Sequence, residues 1–242
     1  MGLFISIEGG DGTGKSTQVK LLCDRLTKQG QQVLSVREPG GTELGAYLRD
    51  YLKSTSKPLT PEAELFLFVA ARSEVVRRVI RPALAAGNIV VADRYADSTT
   101  AYQGYGRRLP TRHVTSANQL ATDGLGPDLT LLLDAPPEVT LARARVQTSL
   151  EDKRDEDQRV MDGLSRAKES GQQRFEIASA SFHRRVREGY LKLAAKEPQR
   201  WAILDASLPE DALAELVWQR MEDLLSTRDV APQSGEGRFP GL

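Results

Sequence analysis

The sequence predicts an α/β domain built on a parallel sheet, and three observations predict it. Apolar runs of strand length recur at Leu3–Ile7, Val33–Val36, Ile89–Ala92, Leu129–Leu133 and Trp201–Leu204, with helix-compatible segments between them. Strands alternating with helical patterns imply crossover connections, and hence parallel pairing. The first, third and fourth runs are apolar at consecutive positions, as strands covered on both faces must be. Finally, the first run leads straight into Gly9-Gly10-Asp11-Gly12-Thr13-Gly14-Lys15-Ser16, a full G-x-x-x-x-G-K-[ST] pattern with a strand before it and a helix after it.

That motif is a phosphate cradle. Its glycines let the backbone curl with N–H groups pointing inward at a polyphosphate, Lys15 extends toward the β- and γ-phosphates, and Ser16 offers a hydroxyl to Mg²⁺. Gly9, Gly10, Asp11, Gly12, Thr13, Gly14, Lys15, Ser16 and Thr17 are therefore candidate nucleotide-binding residues. The helix that follows carries Val19, Leu22 and Leu26 at helical spacing and stops at Gly30. After the second run, Leu44, Leu48 and Leu52 make one helical stripe, and Thr60-Pro61-Glu62 opens a long helix through Ala70 to Ile80. Pro82, which lacks an N–H, is expected to kink or end that helix. Ser207 with Glu210 three residues on reads as a capping box for the last helix, whose apolar face is Leu213, Leu216, Val217 and Leu224.

Two segments fall outside this pattern. From Thr148 to Gln173 the chain is crowded with charged residues and Gln and holds few large apolar ones, so it reads as a solvated excursion. After Leu225 the character turns to Ser, Pro, Gly and charge, and 226–242 is predicted as a disordered tail on a single domain spanning 1–225.

The 242 residues carry 33 Lys plus Arg against 33 Asp plus Glu, so no global basic field points to nucleic acid or a membrane surface. The lone Cys23 excludes an internal disulfide and reads as a small buried residue in a reducing cytoplasm. No run approaches the roughly 18 apolar residues of a membrane span, and the N-terminus has no leader pattern, so a soluble cytoplasmic protein is expected. His113 and His183, in charged helical surroundings, read as structural.

A phosphate cradle specifies a nucleoside triphosphate and leaves the reaction open. A regulatory GTPase would carry Asn-Lys-x-Asp to select guanine, and that pattern is absent. A motor or transporter ATPase would end a strand in Asp-Glu, whereas the third run ends Ala92-Asp93-Arg94-Tyr95. An arginine directly after the strand-end carboxylate suits a charged acceptor.

At these residues the chain resembles the bacterial thymidylate kinases. The matching segments are Glu8-Gly9 into the cradle, Arg37-Glu38-Pro39-Gly40-Gly41-Thr42, Glu64-Leu65-Phe66-Leu67-Phe68 with Ala70-Ala71-Arg72, and Asp93-Arg94-Tyr95 with Ser98-Thr99 and Ala101-Tyr102-Gln103-Gly104. Further on are Pro127-Asp128-Leu129-Thr130, Arg174-Phe175-Glu176 and the stretch from Phe182 to Tyr190. The resemblance covers residues 3 to about 225 and implies a three-layer P-loop NTPase fold: a five-stranded parallel sheet flanked by helices, with a mobile arginine-bearing lid at about 142–176. It also implies phosphoryl transfer from Mg-ATP to dTMP, and usually a homodimer. Another nucleoside monophosphate, or a deoxynucleoside, is the alternative acceptor. A nucleotide-binding scaffold without turnover is disfavoured by the full set of Lys15, Ser16, Asp93 and Arg94.

The resemblance assigns roles residue by residue. Arg94 bridges donor and acceptor phosphates, and Asp93 joins Ser16 at the Mg²⁺. Arg49 takes the acceptor phosphate; Phe68 stacks on the base, with Phe66 as the other candidate ring; and Arg72, four residues from Phe68 on one helical face, reaches O4. Ser98, Thr99, Tyr102 and Gln103 close the pocket, with Gln103 on the pyrimidine edge, while Asp11 and Glu38 approach the sugar 3′-OH and a metal-linked water. One subtype of the family carries an arginine at the position of Gly12 or Thr13, which this chain lacks. The lid must then supply that charge, with Arg143 against adenine and Arg145 or Arg174 on the transferring phosphoryl, and the excursion brings Arg154, Arg159 and Arg166 as well.

Overall fold

A computed structural model of the chain describes residues 2–55, 58–144 and 179–229. The elements run β1 (Leu3–Gly9), α1 (Lys15–Lys28), β2 (Val33–Arg37), α2 (Glu43–Ser54), α3 (Pro61–Val75), α4 (Arg81–Ala85), β3 (Ile89–Asp93), α5 (Ala96–Thr99), α6 (Thr111–Thr122) and β4 (Leu129–Asp134). A helix α7, described from 137 to 144, then α8 (Ala180–Lys196), β5 (Trp201–Asp205) and α9 (Glu210–Asp229) complete the order.

The five strands form one parallel sheet in the order β2-β3-β1-β4-β5. All five predicted runs are strands. The consecutive apolar runs are the three inner strands, buried on both faces, while the edge strands β2 and β5 are only partly covered. The side-chain period of two then divides β1 between two cores. Leu3, Ile5 and Ile7 join α1 and α9 through Val19, Leu22, Leu26, Val217 and Met221. Phe4 points the other way, onto Val75, Val76, Ile80 and Tyr95. Ile5 and Ile7 are fully buried, so truncating either to Ala would cost about 2–5 kcal/mol. On the Phe4 face, Ser6 and Glu8 are also fully buried, a polar strip that leads toward the cradle.

Four local expectations are corrected. Pro82, expected to kink or end its helix, does not end it: Val76–Ile80 is a wider π turn, and the chain passes through it into α4, which carries the proline at its start. A π turn relieves the clash between the proline ring and the preceding carbonyl. Ser207 is not a cap, because its N–H and hydroxyl both donate to Asp205 Oδ1, at 2.8 and 2.6 Å. The first bond of α9 goes instead to the Pro209 carbonyl, from Leu213 N at 3.0 Å. Helix α9 runs past Leu225 to Asp229, so the predicted tail begins too early; its remainder, 230–242, lies outside the described residues. Of the α2 stripe, Leu48 and Leu52 are buried, but Leu44 is exposed. Cys23 is half-buried against the core, where burial pushes its thiol up to about 11.

Helix α8 lies against a second π turn, Thr100–Gly106, at unusually short range. A Cβ added at Gly189 would fall 2.7 Å from the Tyr105 ring, so only glycine permits this approach. The contact packs Phe182, Val186 and Tyr190 of α8 with Tyr102 and brings Tyr190 into the site.

Candidate active site

The loops after β1, β2 and β3 meet at the carboxyl edge of the sheet, where open α/β sheets bind ligands. The cradle follows β1, with Gly12 at φ 77° and Gly14 at φ 85°. At Gly12 a Cβ would stand 2.0 Å from the Thr140 carbonyl oxygen, so the backbone of α7 occupies the space an arginine would need there. Helix α1 starts directly after the loop with Gly14 as its cap, and the partial positive charge of its N-terminus faces the loop with no acidic residue in the first turn.

Lys15 folds back over the loop to donate to the Gly10 carbonyl at 2.6 Å. Burial, with Arg94 nearby, lowers its ammonium to about 8 against the pull of Asp11, Asp93 and Glu8. Ser16 Oγ donates to Asp93 Oδ2 at 2.6 Å, so the two residues expected at Mg²⁺ are neighbours across the β1–β3 pair. A hydroxyl and a carboxylate are hard oxygen donors and would suit that ion.

Arg94 leaves β3 in a left-handed conformation, φ 74°, rare for a side-chain-bearing residue and costing about 1–3 kcal/mol. Two bonds hold the turn: Arg94 N donates to the Ile7 carbonyl at 3.1 Å, and Tyr95 N donates to Glu8 Oε1 at 2.7 Å. Its guanidinium thereby points back across the cradle, donating to Gly9 O at 3.1 Å, Asp11 Oδ1 at 2.6 Å and the Tyr102 hydroxyl at 3.0 Å. Burial opposes this charge, but Tyr102, Asp11, Tyr190 and Asp93 keep the guanidinium firmly protonated. Burial likewise opposes the Asp11 charge, yet Arg94, Lys15 and His183 hold that carboxyl below its ordinary value. Glu8, beneath them, also accepts from Ser6, Ser98 and Tyr190. Burial and the nearby Asp97 push it up to about 7.

From Arg94 an open cleft runs toward α3. It gathers every residue expected at the acceptor: Glu38, Arg49, Phe68, Arg72, Arg94, Ser98, Thr99, Tyr102 and Gln103. Phe68 lines the cleft, whereas Phe66 is exposed on the outer face of α3. Arg49 reaches in from α2 and donates to the Pro39 carbonyl at 3.3 Å. Arg72 is buried at the far end, where Nε donates to Glu38 at 2.8 Å, Nη1 to Thr99 and Asn118, and Nη2 to the Tyr95 carbonyl while lying 2.6 Å from the Glu38 carboxylate. Burial raises the Glu38 carboxyl against the pull of Arg72.

On the donor side Arg143 donates to the Ala206 and Ser207 carbonyls at 2.6 and 3.2 Å, tying α7 to the β5–α9 loop. Arg145 and Arg174, with Arg154, Arg159 and Arg166 of the excursion, lie outside the described residues. No sequence signal marks a role for Arg37, which lines the cleft 3.5 Å from Asp93, or for Glu8, Glu64, Asn118 and Tyr190. His183, expected to be structural, is buried beside Asp11.

Comparison with known proteins agrees with this geometry. The family model described as thymidylate kinase matches residues 7–164. A thymidylate kinase of Geotalea uraniireducens is 46% identical over 208 residues, covering 86% of this chain and 90% of that protein. One from a Synechococcus strain is 45% identical over 238 residues, covering 98% and 100%. Among solved structures, thymidylate kinase from Ehrlichia chaffeensis superposes with a TM-score of 0.68 at 29% identity, over 91% of this chain and 98% of that one. With the cradle, the strand-end Asp-Arg pair and the cleft in place, these matches show that the chain belongs to the thymidylate kinase family.

Proposed function

We propose that the chain transfers the γ-phosphoryl group of ATP to dTMP, giving ADP and dTDP, with the cleft beside Arg94 as the dTMP site. The observation that carries this reading is Arg94, which touches the nucleotide cradle at Gly9 and Asp11 and also lines the cleft. A phosphate has a second pKa of about 6, so at pH 7 the acceptor is largely a dianion. Its oxygen attacks the γ-phosphorus, the bond from that phosphorus to the β–γ bridging oxygen breaks, and no general base is needed. The protein's task is to hold two polyanions in line.

Arg94 and Arg49 take the acceptor phosphate, Lys15 and the loop amides the donor. Phe68 and Gln103 hold the base, Arg72 and Thr99 form the end of its slot, and Tyr102 and Ser98 line the sugar side beside Asp11 and Glu38. Ser16 and, through water, Asp93 would hold Mg²⁺, which neutralises charge on the transferring group when bound. Arg143 would lie against adenine, and Arg145 or Arg174 would supply the charge on the transferring phosphoryl. We place the reaction in the cytoplasm; among the described residues no helix is long and apolar enough to cross a membrane.

A homodimer belongs to the same reading. Leu44, Tyr47 and Tyr51 on α2, Phe66 on α3 and Leu120 on α6 are all exposed, and α3 packs against both other helices. Large apolar residues gathered on adjacent helices favour a partner surface. Sedimentation at micromolar concentration is expected to give the dimer mass, and a monomer would remove this element.

Parallel assays with ATP and dTMP, dUMP, UMP, CMP or thymidine test the reaction. Preferred turnover of dTMP is expected. Preference for thymidine would overturn the reading, because a neutral 5′-OH needs a base, and the cleft carboxylates Glu38 and Asp11 already accept from Arg72 and Arg94.

A further inference from the structure

Gln103 sits in the wall of the cleft with its side chain almost wholly buried. A glutamine amide has two faces, an NH₂ that donates and a carbonyl oxygen that accepts, and which one meets the ligand depends on what holds the other. Here Nε2 donates to Glu64 Oε1 at 2.9 Å. Glu64 is completely buried and accepts both Nε and Nη2 of Arg107, each at 3.1 Å. A carboxylate facing a guanidinium fork is an acceptor at both oxygens, so it takes the NH₂ of Gln103 and would repel its carbonyl. No hydrogen bond within the described residues reaches Gln103 Oε1.

We propose that the Glu64–Arg107 pair is a positioning device that locks the Gln103 amide with its oxygen toward the bound base, so that the cleft requires a hydrogen-bond donor at N3 of the pyrimidine. Thymine and uracil carry N3–H. Cytosine presents a bare N3 acceptor, which would face the Gln103 oxygen lone pair to lone pair. Glu64 touches neither phosphate nor base and acts through Gln103 alone. The inference rests on the dTMP reading of the cleft and adds to it the source of the base-edge polarity. Three elements supply the parts, Glu64 from α3, Gln103 from the π turn, and Arg107 just beyond it, so a helix-to-helix contact sets the chemistry of recognition.

Glu64→Gln tests it. The near-isosteric amide can offer either face, so Gln103 is free to turn over. Specificity is expected to change: the ratio of kcat/KM for dTMP to that for dCMP should narrow by about tenfold or more, since a site built around one hydrogen-bonding face loses its discrimination when that face is no longer enforced. A purely structural role for Glu64 would lower both substrates by the same factor and leave the ratio where it was, and that result overturns the proposal. A second measurement needs no variant: dTMP methylated at N3 lacks the donor and should be turned over at least about a hundredfold less efficiently than dTMP by the unaltered enzyme. Turnover within a few-fold of dTMP would also overturn it. Should the unaltered enzyme fail to phosphorylate dTMP at all, the assignment of the reaction falls first; should it succeed while both tests fail, only the role of Glu64 falls.

Discussion

The two ends of the acceptor cleft use the same device, an arginine on a carboxylate, at different depths. At the base end Arg72 and Glu38 have side chains 1% and 3% exposed, and the guanidinium meets four different partners. At the phosphate end Arg94 and Asp11 are 18% and 23% exposed. The first pair is architecture, because breaking it would strand a charge that water cannot reach. The second keeps a cation in place at the mouth of the cradle, where an incoming phosphate can replace Asp11 as its counter-charge without a long desolvation step. In the proposed reading, depth separates the arginine that shapes the slot from the one that acts on the substrate.

Arg94→Ala should break that contrast most visibly. Loss of a guanidinium from the transferring group is expected to lower kcat by about 10³–10⁵, read by steady-state assay with dTMP. A kcat within tenfold of the unaltered enzyme would mean that Arg94 does not meet the phosphates. Arg72→Ala should show the opposite balance, a stability loss of about 3–5 kcal/mol in denaturant unfolding, because Glu38 is left buried and uncompensated. Unchanged stability with a raised KM would place Arg72 among the substrate contacts instead.

Lys15 sharpens the donor side. Its ammonium is lowered to about 8, so in the free enzyme the phosphate-binding form is lost as pH rises through 8, and kcat/KM for ATP should fall about tenfold per pH unit above it. The bound polyanion restores the charge, so kcat should fall later. The sign for stability is the reverse: below pH 8 the buried charge is a penalty relative to the unfolded chain, and the penalty fades toward pH 10.5 as the unfolded lysine also loses its proton. A flat kcat/KM profile from pH 7 to 9.5 would show that Lys15 stays charged. The smallest effect separates two rings: Phe68→Ala should raise KM for dTMP by about tenfold, the worth of one aromatic contact, and Phe66→Ala, on the outer face of α3, should leave it unchanged.

Much of this was legible in the chain because it is local. Strand identity follows from runs of apolar residues, the cradle from eight consecutive positions, and the cleft residues from motifs that each lie on one loop or helix face. The partners were not legible, because folding brings them from afar. Asn118 meets Arg72 across 46 positions, Tyr190 meets Glu8 across 182, and Arg107 meets Glu64 across 43. No spacing rule links such pairs. The π turns at Val76–Ile80 and Thr100–Gly106 were hidden for another reason: each continues a helix with one residue more per turn, so the apolar pattern looks unbroken and Pro82 reads as a stop. Ser207 misled because a serine three residues before a glutamate satisfies the capping pattern even when Asp205 has already taken its hydroxyl.

A crystal structure with dTMP and a non-transferable ATP analogue bound together decides whether Arg94 joins the two phosphates. Arg94 is expected to have left Asp11 to bridge the γ-phosphate and the dTMP phosphate, while Arg72 still grips Glu38 and the base lies against Phe68. Arg94 still on Asp11, with the two phosphates too far apart to react, would contradict it.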